Sequence, residues 1–179
     1  QSSGILDIIG DAIPNYNLVW INSLSWKGFS FGFQWQYQDG GSMYSSTVQA
    51  LLARGNTTDT DVDRNIPVIM PNSVKNVGTE ENPDYQPNDI QTYMGDSFFR
   101  AYFFADEGGV FDATHIRLRE VSLSYALPKN LLEKTPFGTV ALTIAGENLW
   151  YNAPNFPKGI NFDPEVSSTG VGNGRGFDF

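Results

Sequence analysis

Three aspartates at alternate positions are the side chains of this 179-residue chain best spaced to hold a ligand. Asp59, Asp61 and Asp63 match positions 1, 3 and 5 of a calcium-binding loop, whose oxygen ligands coordinate the cation. Such a loop needs glycine at position 6 and a bidentate glutamate at position 12, but Arg64 and Met70 stand there. We therefore expect a solvated acidic loop and no cofactor, with calcium in this acidic loop as the alternative.

Catalytic groups and zinc ligands are sparse in the rest of the chain. His115 is the only histidine and cysteine is absent, so neither a usual zinc site nor a cysteine nucleophile can be assembled. The serine-hydrolase motif G-x-S-x-G does not occur, and the carboxylate pairs lie in a proline-broken stretch without a surrounding motif. The sequence predicts that the protein is not an enzyme. Its formal net charge of −9 argues against a nucleic-acid partner, because phosphate binding needs a basic face.

Aromatic side chains outside the predicted strands form a second group that could contact a ligand. Their rings could stack on sugars or on peptide side chains, or pack against a lid protein, and for each ring local packing within the loop is the alternative. These candidates are Tyr93, Phe98, Phe99, Trp150, Tyr151 and Phe156.

A strand pattern of period two organises the most regular part of the sequence. From Phe29 to Tyr37 every odd position is aromatic, while the even positions from Ser30 to Gln38 hold only serine, glycine or glutamine. Side chains alternate across a strand, so one face is aromatic and the other polar, as in a membrane strand between lipid and a water-filled lumen. Strands are predicted near residues 18–26, 29–38, 115–126 and 139–149. The predicted lipid-facing residues are Trp20, Leu24, Trp26, Phe29, Phe31, Phe33, Trp35, Tyr37, Val121, Leu123, Tyr125, Val140, Leu142 and Ile144.

The third of these strands needs an irregularity. Ile116 and Leu118 fall on the opposite face from Val121 if the strand is regular. A bulge between Arg119 and Val121 would bring all three side chains to one face. Arg117 and Arg119 are predicted to pair with acidic loop residues, with contacts to acidic lipopolysaccharide groups as the alternative.

The connections between the strands alternate between short and long. Lys27-Gly28 predicts a tight hairpin turn, and residues 129–138 predict a short connection with one helical turn. Residues 39–114 form one very long connection, with a short helix predicted over residues 45–54 and a strand over residues 97–105. The long loops of outer-membrane barrels are extracellular, so residues 39–114 and the strandless tail 150–179 are predicted to lie outside the cell.

Several motifs resemble the C-terminal part of SusC/RagA-type proteins, which are TonB-linked outer-membrane proteins. The segment from Asn22 to Phe29 is similar to the hairpin of that family, and Gly40 to Tyr44 to the glycine-rich exit after it. The longest match runs from Asp112 to Pro128, with the sequence DATHIRLREVSLSYALP. Residues 146–149 (GENL) and 163–166 (DPEV) resemble two further family motifs.

This resemblance implies an all-β fold, an antiparallel transmembrane β-barrel of about 22 strands with long extracellular loops, of which residues 1–179 are a C-terminal part. The plug and the final strand would be absent. It further implies transport of oligosaccharides or peptides across the outer membrane of a Gram-negative bacterium of the Bacteroidetes type. The implied partners are a SusD-like surface lipoprotein, the TonB complex, which would bind through the missing N-terminal part, and outer-membrane lipid.

A secreted, soluble β-sandwich that binds carbohydrate is the alternative. It explains the strands, the acidity and the lack of cysteine. It does not explain the order of the motifs, nor a strand with five aromatic residues opposite a wholly polar face.

Overall fold

The computed structural model describes residues 7–166 and 177–178, and these form an all-β structure with a few short helices. The strands are β1 (Tyr16–Trp26), β2 (Phe29–Asp39), β3 (Ser42–Ser45), β4 (Pro67–Val68), β5 (Val74–Asn76), β6 (Tyr85–Pro87), β7 (Thr92–Tyr93), β8 (Val110–Asp112), β9 (His115–Ala126), β10 (Ala141–Asn152) and β11 (Phe177–Asp178). The α-helices are α1 (Ser46–Ala53), α2 (Asp96–Phe103) and α3 (Lys129–Leu132), and short 3₁₀ helices span Thr58–Thr60 and Asp106–Gly109. No helix within the described ranges is long and apolar enough to cross a membrane.

The four long strands form one antiparallel sheet in the order β1-β2-β9-β10. Trp26 pairs with Phe29, so only Lys27 and Gly28 connect β1 to β2. Both connecting residues have positive φ angles, 45° and 88°, as the favoured two-residue hairpin turn requires. The predicted tight turn is therefore confirmed.

An irregularity in β9 matches the predicted bulge. Gln34 of β2 pairs with Glu120, whereas the next residue, Trp35, pairs with Leu118. Arg119 is thus the extra residue, and it brings Leu118 to the same face as Val121.

The long connection after β2 folds around its own core. Buried Met43, Val48 and Leu52 pack with Ala113 from the end of the connection and with Phe156 from the segment after β10. The predicted helix is confirmed as α1, whose N-terminus is capped because Ser45 Oγ accepts a hydrogen bond from Val48 N at 3.2 Å. We call residues 40–114 together with residues 153–162 the loop domain.

The strand predicted over residues 97–105 is wrong, because most of this segment forms helix α2. Phe98, Phe99, Tyr102 and Phe103 recur at helical rather than strand spacing, and Phe98 stacks on Tyr102 one turn later. An ion pair between Asp96 and Arg100, also one turn apart, supports the helix.

The tail differs from the sequence prediction in two places. Strand β10 continues through Asn152, and β11 adds a short parallel pairing to β3. Residues 167–176 and 179 of the predicted tail lie outside the described residues.

Candidate functional site

The cross-strand register places the predicted lipid-facing residues of the sheet on one face. Residues directly opposite each other in neighbouring strands point to the same side, so Leu24, Phe31, Leu123 and Ile144 form one row. We call this side the apolar face. Its members are Leu18, Trp20, Leu24, Trp26, Phe29, Phe31, Phe33, Trp35, Tyr37, Ile116, Leu118, Val121, Leu123, Tyr125, Leu142, Ile144 and Trp150. Val140, the remaining residue of the predicted set, immediately precedes β10.

The apolar face is exposed over most of its extent. Ile144 is 78% exposed, Trp26 68% and Phe31 38%. Its half-buried members are covered by neighbours within the same face: the Trp20 ring meets Phe33 edge-on at 5.1 Å, for example. A contiguous apolar surface of this kind marks a contact with lipid or with another protein surface.

The opposite side, which we call the polar face, carries hydrogen-bonding and charged groups. Ser124 and Thr143 are hydrogen-bonded across β9 and β10 at 2.9 Å. The polar face includes Ser23, Ser30, Gln34, Gln36, Gln38, Arg117, Glu120, Ser122, Ser124 and Thr143. Val19 and Ile21 of β1 are large apolar residues on this face.

Two arginines of β9 bind the acidic segment that follows β10. Arg117, which is 4% exposed, pairs with Asp163, and Arg119 pairs with Glu165. Arg119 Nε also donates a hydrogen bond to Gln36 Oε1 at 2.7 Å. The bulge makes this possible, since it lets both arginines reach the polar face. The predicted pairing of Arg117 and Arg119 with acidic residues is confirmed.

The fully buried His115 completes this ionic cluster. Its Nδ1 lies 2.8 Å from the carbonyl oxygen of Ala113, which can only accept, so Nδ1 donates the hydrogen. Its Nε2 lies 3.5 Å from Glu165 Oε1. Burial acts to raise the pKa of Glu165, but interactions with His115 and Arg119 and the charge of Arg117 outweigh it and lower that pKa to about 2.

The aromatic residues predicted to contact a ligand are distributed over three sites. Tyr93 is exposed on β7, and Phe98 and Phe99 lie on α2, where Phe99 is buried beneath the guanidinium of Arg64. Trp150 lies on the apolar face beside Trp35.

The other two predicted contact residues lie close to the segment that follows β10. Tyr151 packs against Arg117 and donates a hydrogen bond to the Asn161 carbonyl at 2.6 Å. Phe156 is buried in the loop domain between Phe111 and Phe162.

The loop domain also contains an aromatic-walled cleft of about 590 Å³, which Phe156 lines together with residues that the sequence did not single out. Tyr102, Phe103 and Phe111 are the aromatic residues missed. The helical spacing of residues 98–103 is the signal that could have identified the first two.

Two of the three aspartates with calcium-loop spacing accept hydrogen bonds from backbone amides. Asp59 Oδ2 accepts a hydrogen bond from Lys158 N at 3.0 Å, and Asp63 Oδ1 accepts one from Asn65 N at 2.9 Å. Within residues 7–166 and 177–178, no three acidic, histidine or cysteine side chains are grouped so that they could hold a metal ion. Calcium binding stays a prediction.

The chain thus combines an amphipathic four-stranded sheet with a folded loop domain. No model of a known protein family matches it. The chain is similar to TonB-dependent receptor P3 of Formosa agariphila, with 27% identity over 168 residues. The match covers 94% of this chain but 14% of that protein, so the chain spans about one seventh of the relative's length. This similarity supports the broader prediction, a relationship to TonB-dependent receptors.

Proposed function

We propose that the chain is part of the membrane-spanning wall, with attached extracellular loops, of a TonB-dependent importer in the outer membrane. The apolar face is the observation that carries this proposal. Four strands of 11 or 12 residues are long enough for a tilted crossing of the ~30 Å hydrocarbon layer. Apart from Val19 and Ile21 of β1, the strands turn their large apolar side chains to one side and polar side chains to the other, as lipid and lumen require.

The positions of the tryptophans support the same assignment. All four tryptophans of the chain lie on the apolar face, and none on the polar face. Tryptophan is enriched where a membrane protein meets the lipid headgroups, because its ring is apolar and its N–H can remain hydrated.

The finer assignment rests on the sequence motifs. We propose a SusC/RagA-type barrel of about 22 strands that works with a SusD-like lipoprotein and the TonB complex and imports oligosaccharides or peptides. In this proposal the sheet contacts lipid through its apolar face, and the loop domain faces the cargo or the lipoprotein. The chain makes no covalent change in the cargo, since its role is passage rather than catalysis.

The alternative is a soluble carbohydrate-binding β-sandwich, which would need a second sheet packed over the apolar face. The other sheets among the described residues have two or three short strands each. Ile144 and Trp26 remain more than half exposed, which favours the membrane proposal.

Spin labels on single cysteines would test the membrane proposal, because the chain has no cysteine of its own. Leu24→Cys and Phe31→Cys place labels on the apolar face, and Ser23→Cys and Ser30→Cys place matched labels on the polar face. The protein that carries the chain is reconstituted in lipid bilayers. Collision rates with oxygen, which concentrates in lipid, and with a water-soluble nickel chelate are then measured.

We expect labels on the apolar face to collide with oxygen and to be shielded from nickel, with the reverse on the polar face. Equal nickel access on both faces would contradict membrane insertion. Labels at Leu24 and Phe31 that neither reagent reaches would indicate a protein core and favour the sandwich.

A further inference from the structure

The cleft of the loop domain has apolar walls and an acidic rim. Its volume of about 590 Å³ lies within the range of ~300–1,000 Å³ that is usual for small-ligand sites. Buried Phe156 and half-buried Phe103 and Phe111 form the inner surface, and Tyr102 is 56% exposed at the rim. Asp59 and Glu107 also line it and are exposed.

The walls of the cleft are held together by hydrogen bonds between distant parts of the chain. Thr58 Oγ1 donates to the carbonyl oxygen of Lys158 at 2.5 Å, and Lys158 N donates to Asp59 Oδ2 at 3.0 Å. Gln49, buried on α1, donates through Nε2 to the carbonyl oxygen of Ala105 at 3.0 Å. Because these bonds join both sides, the cleft is formed before a ligand arrives, which reduces the entropy lost on binding.

The charged side chains described in the lining of the cleft, Asp59 and Glu107, are both acidic. Among the described residues, the Glu107 carboxylate and Asp59 Oδ1 have no hydrogen-bond donor or cation of the protein beside them. No lysine or arginine of residues 7–166 lines the cleft. Residues 55–113 carry eleven acids and three basic residues, so the field around the cleft also attracts positive charge.

We propose that this cleft binds a cationic group on an apolar stem, such as a lysine or arginine side chain within a peptide. The stem packs against Phe103 and Phe156, and the charge lies between Asp59 and Glu107. Tyr102 at the rim adds an aromatic face, which attracts a cation within about 6 Å of its ring. This assignment rests on the proposed function, in which the loop domain faces the cargo. It identifies basic peptides as that cargo.

The test compares two probes that differ only in charge. The capped tripeptide acetyl-alanyl-lysyl-alanine amide is titrated by calorimetry into the detergent-solubilised protein, and the same peptide with norleucine in place of lysine is titrated in parallel. We expect the lysine peptide to bind at least about tenfold more tightly, with an advantage that falls as salt is added.

Matched variants locate the binding. The double variant Asp59→Asn/Glu107→Gln keeps the side-chain shapes and removes both rim charges, while Glu80→Gln/Glu81→Gln removes two exposed charges elsewhere in the loop domain. We expect the first pair to abolish the lysine advantage and the second to retain it. Unchanged hydrogen exchange across α1 and α2 verifies that both variants are folded.

Three results would overturn the proposal: equal binding of the two peptides, equal loss in both double variants, or preferential binding of neutral maltotriose. The assay does not depend on membrane insertion, so its failure would leave the spin-label result on the sheet intact. A negative spin-label result would in turn leave the charge selectivity of the cleft standing and remove only its assignment to imported cargo.

Discussion

The sheet and the loop domain place their apolar side chains in opposite ways. In the loop domain, Met43 and Val48 are completely buried, and the aromatic rings of residues 111, 156 and 162 stack in the interior. In the sheet, Ile144 and Trp26 are 78% and 68% exposed. The loop domain therefore has a buried apolar core, although residues such as Ile66 and Tyr85 are exposed, whereas no large apolar side chain described in β1, β2, β9 and β10 is buried.

This difference indicates two kinds of surroundings for one chain. The loop domain follows the rule for proteins in water, where burial of apolar area drives folding. The sheet leaves one face of large apolar side chains exposed, and the segment that carries Asp163 and Glu165 binds Arg117 and Arg119 at one end of the polar face. An outer-membrane protein combines both patterns, since lipid surrounds its strands and water surrounds its loops.

The largest effect is expected from a cavity in the loop domain. Met43→Ala should lower the local stability by about 2–5 kcal/mol, because Met43 is fully buried and its loss leaves a void. Hydrogen exchange followed by mass spectrometry should show faster exchange in α1 and β8, with exchange in β9 nearly unchanged. Leu131→Ala, at a residue 63% exposed, is the control and should have little effect. Equal acceleration in β9 would mean that the two regions unfold as one unit.

A somewhat smaller effect is expected from a charge on the apolar face. Ile144→Arg should lower folding stability in lipid bilayers by about 2–4 kcal/mol if the residue lies near the bilayer midplane. Ala145→Arg, one residue further along β10 on the polar face, is the matched control and should cost much less. Guanidinium unfolding of both variants in bilayers measures the difference. Similar costs for the two would remove the distinction between the faces.

The sheet could be derived from the sequence largely because its signals are local. Alternation of period two predicts the four strands. The bulge is predicted because this alternation is interrupted around Arg119, where a regular strand would place Leu118 and Val121 on opposite faces. The loop domain was harder, since its core joins Met43 to Phe156 across more than a hundred residues. The sequence predicts a strand over residues 97–105 because aromatic side chains favour strands. In the structure, packing against α1 stabilises helix α2 instead. The cleft could not be predicted, because the segments that form its walls are far apart in the sequence and meet only in the folded protein.

The smallest effect concerns the ionic cluster that binds the segment after β10 to the polar face of the sheet. The pKa of Glu165 is about 2 in the folded protein and near ~4.3 in an unfolded chain, so folding favours its ionised form. This contribution is fully present above pH ~4.3 and is lost as the pH falls through about 2. Because Glu165 is partly exposed, Glu165→Gln should cost about 1 kcal/mol at pH 7, and the cost should vanish towards pH 2. Exchange of the backbone amides of residues 153–166 reports this docking, with Glu133→Gln as a control of equal charge change. A difference from the parent protein that did not shrink with falling pH would show that the Glu165 charge does not hold this segment on the polar face.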